Sequence, residues 1–121
     1  MELHSLFLAK LIGANLVEAD LVGANLWMTQ LAQANLWRAK MAGVDLREAY
    51  LVGARLTGVD LTGANLRGSE MREVNLSGAV LLGANLDFAD LQAAKLCNML
   101  MPDGQQIFEG CSEKINQIED R

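Results

Sequence analysis

Large apolar residues recur at every fifth position over most of the chain. Stepping by five from Leu6 to Leu96 meets nineteen consecutive leucine or methionine residues. We call this the central position of each five-residue repeat. The residue two places earlier is small, most often alanine, and the residue directly before is Asn or Asp in ten of the nineteen repeats. Self-similarity of this kind defines a repeat architecture.

A period of five fits neither an α-helix nor a flat strand. On a helix, a five-residue step rotates by about 140°, so the leucines would form no single face. On a flat strand, an odd period sends successive leucines to opposite sides. Both problems disappear if three extended residues, with the small and central residues pointing inward, are followed by a two-residue corner. We therefore predict a solenoid whose extended segments pair in parallel with those of neighbouring coils.

Glycine spacing predicts the number of sides in each coil. Nine glycines lie two residues after a central position, where a type II turn requires positive φ. One complete column has a spacing of twenty residues: Gly23, Gly43, Gly63 and Gly83. A period of fifteen, expected for a three-sided coil, aligns no complete glycine column. The spacing therefore indicates four sides.

Polar residues share the same spacing on an outer face. The relevant column is Asn25, Asp45, Asn65 and Asn85. We expect these side chains to stack as a ladder. The interior, in contrast, is expected to hold the central leucines, including Leu16, Leu26, Leu36, Leu46, Leu56, Leu66, Leu76 and Leu86.

The repeated motif A(N/D)LxG resembles the pentapeptide-repeat family. It is seen at residues 14–16, 24–26, 64–66 and 84–86, and the resemblance covers roughly residues 4–101. It implies an all-β solenoid, a right-handed quadrilateral parallel β-helix of about 4.75 coils. The motif is specific for this fold and carries little information about function.

The chain after the repeat is predicted to form a cap. We divide the sequence into a β-helix at 1–101 and a turn and capping segment at 102–121, because Pro102-Asp103-Gly104 is a turn signal. The family often ends its repeats with a similar turn. Ser112 is a candidate N-cap for a short helix. The apolar residues expected to cover the last coil are Ile107, Phe108, Ile115 and Ile118. The alternative is a solvated tail.

The first coils carry an unusual outer surface. The residue after each central position points outward, and this position changes from mostly apolar in the first two coils to mostly polar in the next two. A contiguous apolar patch is typical of an interface. The candidate interface is Phe7, Leu8, Ile12, Trp27 and Met28. We expect it to bind a protein partner, most simply a second copy of the chain; alternatively, residues 1–5 cover part of it.

No catalytic or cofactor site is predicted. The single histidine, His4, occupies an inward small-residue position, where a capping role is favoured, and no second histidine is available for a metal site. Cys97 follows the last central position and Cys111 lies in the cap. A disulfide would join cap and coil, but for a cytoplasmic protein free thiols are the favoured interpretation. The glycines serve corners rather than a phosphate loop.

Composition narrows the location and the partners. Apolar residues make up 51% of the chain, yet no uninterrupted apolar stretch approaches the length of a membrane helix. The start lacks the basic region of a signal peptide, so we expect a cytoplasmic protein that does not bind membranes. The net charge of −5 argues against direct binding of nucleic acid.

Two functions follow from these features. The favoured one is a non-catalytic protein-binding or scaffolding module. The alternative comes from the family resemblance, because some members imitate duplex DNA and inhibit DNA gyrase, which requires a dense acidic surface. Residues 1–98 carry ten acidic and eight basic residues, whereas 99–121 carry five and two. The excess of acidic residues thus lies mostly beyond the repeat.

Overall fold

The repeat winds into a stack of four-sided coils. The computed structural model describes residues 5–108 and 111. Each coil has twenty residues, and parallel bridges join residues twenty apart in neighbouring coils, beginning with Ser5–Asn25 and ending with Val80–Leu100. The bridges form four columns, and we number the faces by their first bridged residue: face 1 from Ser5, face 2 from Lys10, face 3 from Asn15 and face 4 from Asp20.

The extended part of each side is very short. Over residues 5–108 and 111, each face contributes a single bridged residue per coil, and neither a longer strand nor a helix is present. Two backbone hydrogen bonds flank each bridge: at Asp45, for example, the Leu26 N–H donates to its carbonyl at 2.7 Å and its own N–H donates to Ala24 at 2.9 Å. Each coil is therefore held by its neighbours rather than by bonds along a strand.

The central and small residues fill the interior. Every central residue from Leu21 to Leu81 is almost fully buried, Leu16 is 5% exposed, and Leu86 is half-buried against the core. Thr29 and Ser69 occupy small-residue positions, and their hydroxyls donate to the Leu6 and Leu66 carbonyls at 2.8 Å. Among the described residues, no buried side-chain polar atom lacks a partner.

All nineteen corners of the stack adopt the same turn. The second corner residue has φ between +54° and +72°, at nine glycines and at ten other residues. The N–H of the next residue donates to the central carbonyl three positions earlier, as from Ala24 to Leu21 at 3.0 Å. A positive φ at the second corner residue, and not at the first, is typical of a type II turn. The fold therefore imposes the left-handed conformation even where the sequence supplies no glycine.

The repeated Asn and Asp residues stabilise these corners. In all ten such repeats, the side-chain Oδ1 accepts a hydrogen bond from the backbone N–H two residues later, at 2.9–3.2 Å. The expected side-chain ladder on face 1 is therefore wrong. Its four members bond to the first residue of their own corner instead, because that N–H points outward within reach of the side chain.

The chain after the repeat folds back along one face of the last coil. Pro102–Gly104 form a turn, and Gln106 pairs antiparallel with Leu100. Two bonds extend this pairing: the Asn98 N–H donates to Ile107, and the Ile107 N–H donates to Met99, both at 2.8 Å. The segment therefore covers the edge of face 4 as a hairpin.

The predicted capping residues have different fates. Ile107 packs partly buried against the core, whereas the Phe108 side chain is 71% exposed. Ile115, Ile118 and the helix expected after Ser112 lie outside the described residues, as does His4.

The two cysteines form a disulfide, so the favoured interpretation of free thiols is wrong. Cys97 and Cys111 are bonded, with their Cα atoms 4.6 Å apart. The physical reason is the hairpin, which reverses the chain beside the corner that contains Cys97. The sequence interpretation gave more weight to the reducing character of the cytoplasm than to this proximity.

Exchange of glycine and alanine at the corners tests the imposed conformation. Gly63 has φ +69° and open space where a Cβ would stand, so we expect Gly63→Ala to lower the unfolding free energy by about 1–2 kcal/mol through the backbone alone. Ala93, with φ +62°, supplies the reverse experiment. Ala93→Gly should raise stability by a smaller amount, because glycine also gains entropy in the unfolded chain.

Chemical denaturation followed by circular dichroism measures both changes. Equal or greater stability of the Gly63→Ala protein would contradict the assigned turn.

Candidate interaction surface

One corner of the stack carries a continuous column of aromatic and arginine side chains. It lies between faces 1 and 2, where the first and second corner residues of successive coils align twenty residues apart. We call this set the aromatic–arginine column. Its members are Phe7, Trp27, Arg47, Arg67 and Phe88. The corner places these side chains outward because the inward positions are taken by the small and central residues.

Ring contacts join the members of the column in two groups. The Phe7 and Trp27 rings stack with centroids 5.2 Å apart and planes inclined by 29°. The Arg47 guanidinium lies 5.2 Å from the Trp27 ring centroid, and the Arg67 guanidinium lies 4.5 Å from that of Phe88. These are cation–π distances. Trp27, with Phe7 and Arg47 both against its ring, is only half-buried, and Phe88 is 79% exposed.

Ion pairing differs between the two arginines. Arg47 donates from Nε and Nη2 to the two Asp45 carboxylate oxygens, at 2.9 and 2.7 Å. These side-chain hydrogen bonds lower the pKa of Asp45 below its ordinary value, against a smaller opposing effect of burial, and raise the pKa of Arg47. Arg67 is paired more loosely, 4.0 Å from Asp87. The bidentate pair therefore fixes Arg47 against Trp27.

A shallow cavity lies within the column. Its volume is about 300 Å³. The Glu48 side chain passes above Gly68, where an added Cβ would stand 3.3 Å from the Glu48 Cγ. The cavity walls are Trp27, Arg47, Glu48, Arg67, Gly68 and Phe88. Charged groups of both signs line it together with two aromatic rings, so the cavity has no strong preference for one charge.

An apolar groove adjoins the column on face 2. It encloses about 390 Å³ between Ile12, Met28, Gln30, Ala32, Glu48 and Tyr50. Ile12 is 63% exposed, Met28 41% and Tyr50 44%. Two of the predicted interface residues, Ile12 and Met28, therefore line one groove. Phe7 and Trp27 form the adjoining stack, and Leu8 is 52% exposed beside them.

Sequence reasoning missed two exposed aromatic residues of this surface. Tyr50 stands in the bridged column of face 2. Ten of the nineteen repeats have Asn or Asp at the bridged position, so a tyrosine there is the sequence signal that could have identified it. Phe88 occupies a second corner position, usually glycine, and aligns with Gly68. Trp37, in contrast, lies at the corner two sides away, where the Arg38 guanidinium covers its ring at 5.3 Å.

Two further kinds of site were sought among residues 5–108 and 111. Across these residues, no group of three His, Cys, Asp or Glu side chains is arranged to hold a metal ion. The same part of the chain contains no helix long and apolar enough to cross a membrane.

Comparison with known proteins identifies the repeat. The family model of pentapeptide repeats matches in eight copies, over residues 9–38, 29–68, 39–78 and 60–98. No curated protein matches the chain.

Solved structures show the same architecture. The pentapeptide repeat protein Rfr23 from the cyanobacterium Cyanothece 51142 is 37% identical, with a TM-score of 0.70 over 71% of this chain. The chain spans only 58% of the length of Rfr23. A pentapeptide repeat protein of the Arabidopsis thaliana thylakoid lumen is 24% identical, with a TM-score of 0.75, and the match covers 91% of this chain and 74% of that one. This second likeness concerns the fold alone.

The Asp45–Arg47 pair gives a pH-dependent prediction. Because the pKa of Asp45 is lowered in the folded protein, its contribution to stability is present above the unfolded-state pKa and is lost as pH falls through the lowered pKa. Arg47→Gln should raise the Asp45 pKa towards its ordinary value. It should also lower stability at neutral pH, and this difference from the wild type should shrink under acid conditions.

Carboxyl carbon shifts followed by NMR during an acid titration measure the Asp45 pKa. Arg38→Gln is the control, because Arg38 covers the distant Trp37 and should leave Asp45 unchanged. An unaltered Asp45 midpoint in the Arg47→Gln protein would show that the pair does not set this pKa.

Proposed function

We propose that this chain, which belongs to the pentapeptide-repeat family, is a protein-binding module. The fold of this family is a right-handed quadrilateral β-helix, and its members are generally non-catalytic structural or binding modules. The surface that we assign to binding is the apolar groove of face 2 together with the adjoining Phe7–Trp27 stack. A rigid stack with side chains in columns is well suited to docking without rearrangement.

The observation that supports this proposal is the clustering of exposed apolar side chains in the first three coils. Leu8, Ile12 and Met28 are each at least 41% exposed. In the middle coils, by contrast, the fold buries almost all large aliphatic residues. Tyr50 extends the same surface to the third coil. Contiguous apolar area of this kind is costly in water, and in soluble proteins it typically marks a contact site.

The surface changes character towards the C-terminal coils. On the same side of the stack, Arg72 lies 3.6 Å from Glu70 and 3.8 Å from Asp90. These exposed ion pairs contribute little to stability but keep that part of the face hydrated. Binding is therefore assigned to the first three coils, and the charged coils form its border. The simplest partner is a second copy of the chain.

Self-association through this surface has a direct test. Ile12→Glu places a charge in the groove, at a side chain 63% exposed in the single chain, where it should not disturb folding. We expect the wild type to sediment as a dimer and Ile12→Glu to shift towards monomer, with at least a tenfold weaker dimerisation constant, about 1.4 kcal/mol.

Val22→Glu is the matched control, because Val22 is also apolar and 53% exposed but lies at another corner of the first two coils. It should dimerise like the wild type. A wild type that remains monomeric at all concentrations would exclude self-association as the role of this groove.

Inhibition of DNA gyrase is the second candidate function. Mimicry of duplex DNA needs an extended acidic surface, and three acids of this stack are paired with arginines: Asp45 binds Arg47, and Glu70 and Asp90 flank Arg72. This pattern favours the binding module. In a supercoiling assay we expect no inhibition of gyrase by micromolar protein, and inhibition at that level would reverse the order of the two proposals.

The location of the protein is a further proposal. We place the protein in the cytoplasm, where thiols are kept reduced. In such surroundings, the Cys97–Cys111 pair can be present either as a disulfide or as two thiols.

A further inference from the structure

A covalent link joins the last coil to the chain beyond the repeat. Cys97 is the first corner residue after Leu96, and Cys111 lies beyond the hairpin that folds back on this coil. We propose that Cys97 and Cys111 form a reversible dithiol–disulfide site that controls whether the C-terminal edge of face 4 is closed. This inference is independent of the surface assigned to binding, which lies in the first three coils.

The contacts that close the edge without the disulfide are few. Five backbone hydrogen bonds hold this segment. Two lie within the turn, two join Ile107 to Asn98 and to Met99, and one joins the Pro102 carbonyl to the Gly83 N–H of the preceding coil. One partly buried side chain, Ile107, packs on the core, and Phe108 is exposed. A two-stranded hairpin with one apolar anchor is marginally stable in water. The disulfide therefore supplies a large part of what keeps this segment in place.

The position of the disulfide determines which hydrogen bonds of the hairpin depend on it. The Asn98–Ile107 hydrogen bond is next to Cys97 along the chain, at the end of the pairing farthest from the Pro102–Gly104 turn. The turn end is stabilised locally, by the Gly104 N–H donating to Met101 at 2.9 Å and by the Gln105 N–H donating to Asp103 Oδ1 at 3.0 Å. Loss of the disulfide should therefore open the pairing from the Asn98 end first.

Opening would expose a sheet edge. The Asn98 N–H and the Met99 carbonyl would lose their partners in Ile107, and the fully buried Met99 would lose part of its cover. Unpaired backbone groups of this kind are a template for pairing with another strand. Reduction of the Cys97–Cys111 disulfide would therefore make the C-terminal edge of face 4 accessible.

The chemistry is ordinary thiol–disulfide exchange with a dithiol reductant. One thiolate of the reductant attacks a cysteine sulfur, the S–S bond breaks, and the other cysteine leaves as a thiolate. The second thiol of the reductant then resolves the mixed disulfide. Two electrons and two protons pass to the protein, which gains two thiols, and the reductant becomes a disulfide. Cys97 and Cys111 are each only half-buried, so the bond is not enclosed by the core.

The repeat offers a matched variant for the reduced state. Ser77 occupies the corner position that Cys97 occupies one coil later, and the two coils are joined there by the Gly78 N–H donating to the Cys97 carbonyl at 2.8 Å. Serine is therefore already compatible with this corner. Cys97→Ser combined with Cys111→Ser removes the bond while preserving the turn.

Native-state hydrogen exchange tests the proposal residue by residue. We compare the oxidised protein, the protein reduced with excess dithiothreitol, and the double serine variant. The amides of Asn98 and Ile107 should exchange at least tenfold faster in both forms that lack the bond, whereas those of Leu46 and Leu61 in the middle coils should be unchanged. Reoxidation should restore slow exchange in the reduced protein.

Three results would overturn the proposal. The first is a disulfide that excess dithiothreitol does not reduce, because the site would not be reversible. The second is unchanged exchange at Asn98 and Ile107 without the bond, because the hairpin would then stay closed by itself. The third is equal acceleration at Leu46, because the bond would then support the whole stack rather than one edge.

Discussion

The type II corner is the constraint on which this structure depends. A five-residue period allows an interior only if the chain turns by the same angle after every three extended residues. Nineteen corners do so, each with positive φ at its second residue and a hydrogen bond across the turn. Ten of them hold residues other than glycine in this conformation, which costs energy locally. The bonds to adjacent coils must offset this cost, so the corners and the stacking are inseparable.

Sequence predicts the parts of the fold that repeat. The central leucines and the column from Gly23 to Gly83 indicate the corners and the four sides because each coil imposes the same geometry. The role of the Asn and Asp residues was misjudged, since their bonds to the backbone two residues later depend on how the corner orients that N–H. The hairpin was not predicted, because it occurs once and follows no period, and without it the Cys97–Cys111 bond was only the less favoured alternative.

The candidate surface was likewise predictable only where it follows the repeat. Phe7 and Trp27, and likewise Leu8 and Met28, could be placed together because outward positions align every twenty residues. The groove then joins Met28 to Ile12 across face 2. Tyr50 and Phe88 were missed because the search was confined to the first two coils and to corner positions, whereas Tyr50 stands at a bridged position of the third coil and Phe88 at a corner of the last coil. The stack of Phe7, Trp27 and Arg47 depends on side-chain rotamers as well as register. Periodicity determines which side chains are neighbours, and their contacts then depend on chemistry.

The two ends of the described stack differ for a physical reason. In a solenoid, each coil is stabilised by its neighbours, so a terminal coil lacks half of these contacts. Near the amino end, Leu6 and Leu11 are partly buried and the outer surface is apolar. At the other end, a hairpin pairs with the edge of face 4 and a covalent bond retains it. Apolar burial requires a partner of complementary shape, whereas a disulfide requires two cysteines held close together and an oxidant. In our two proposals, the first end therefore binds a partner and the second responds to the redox state of its surroundings.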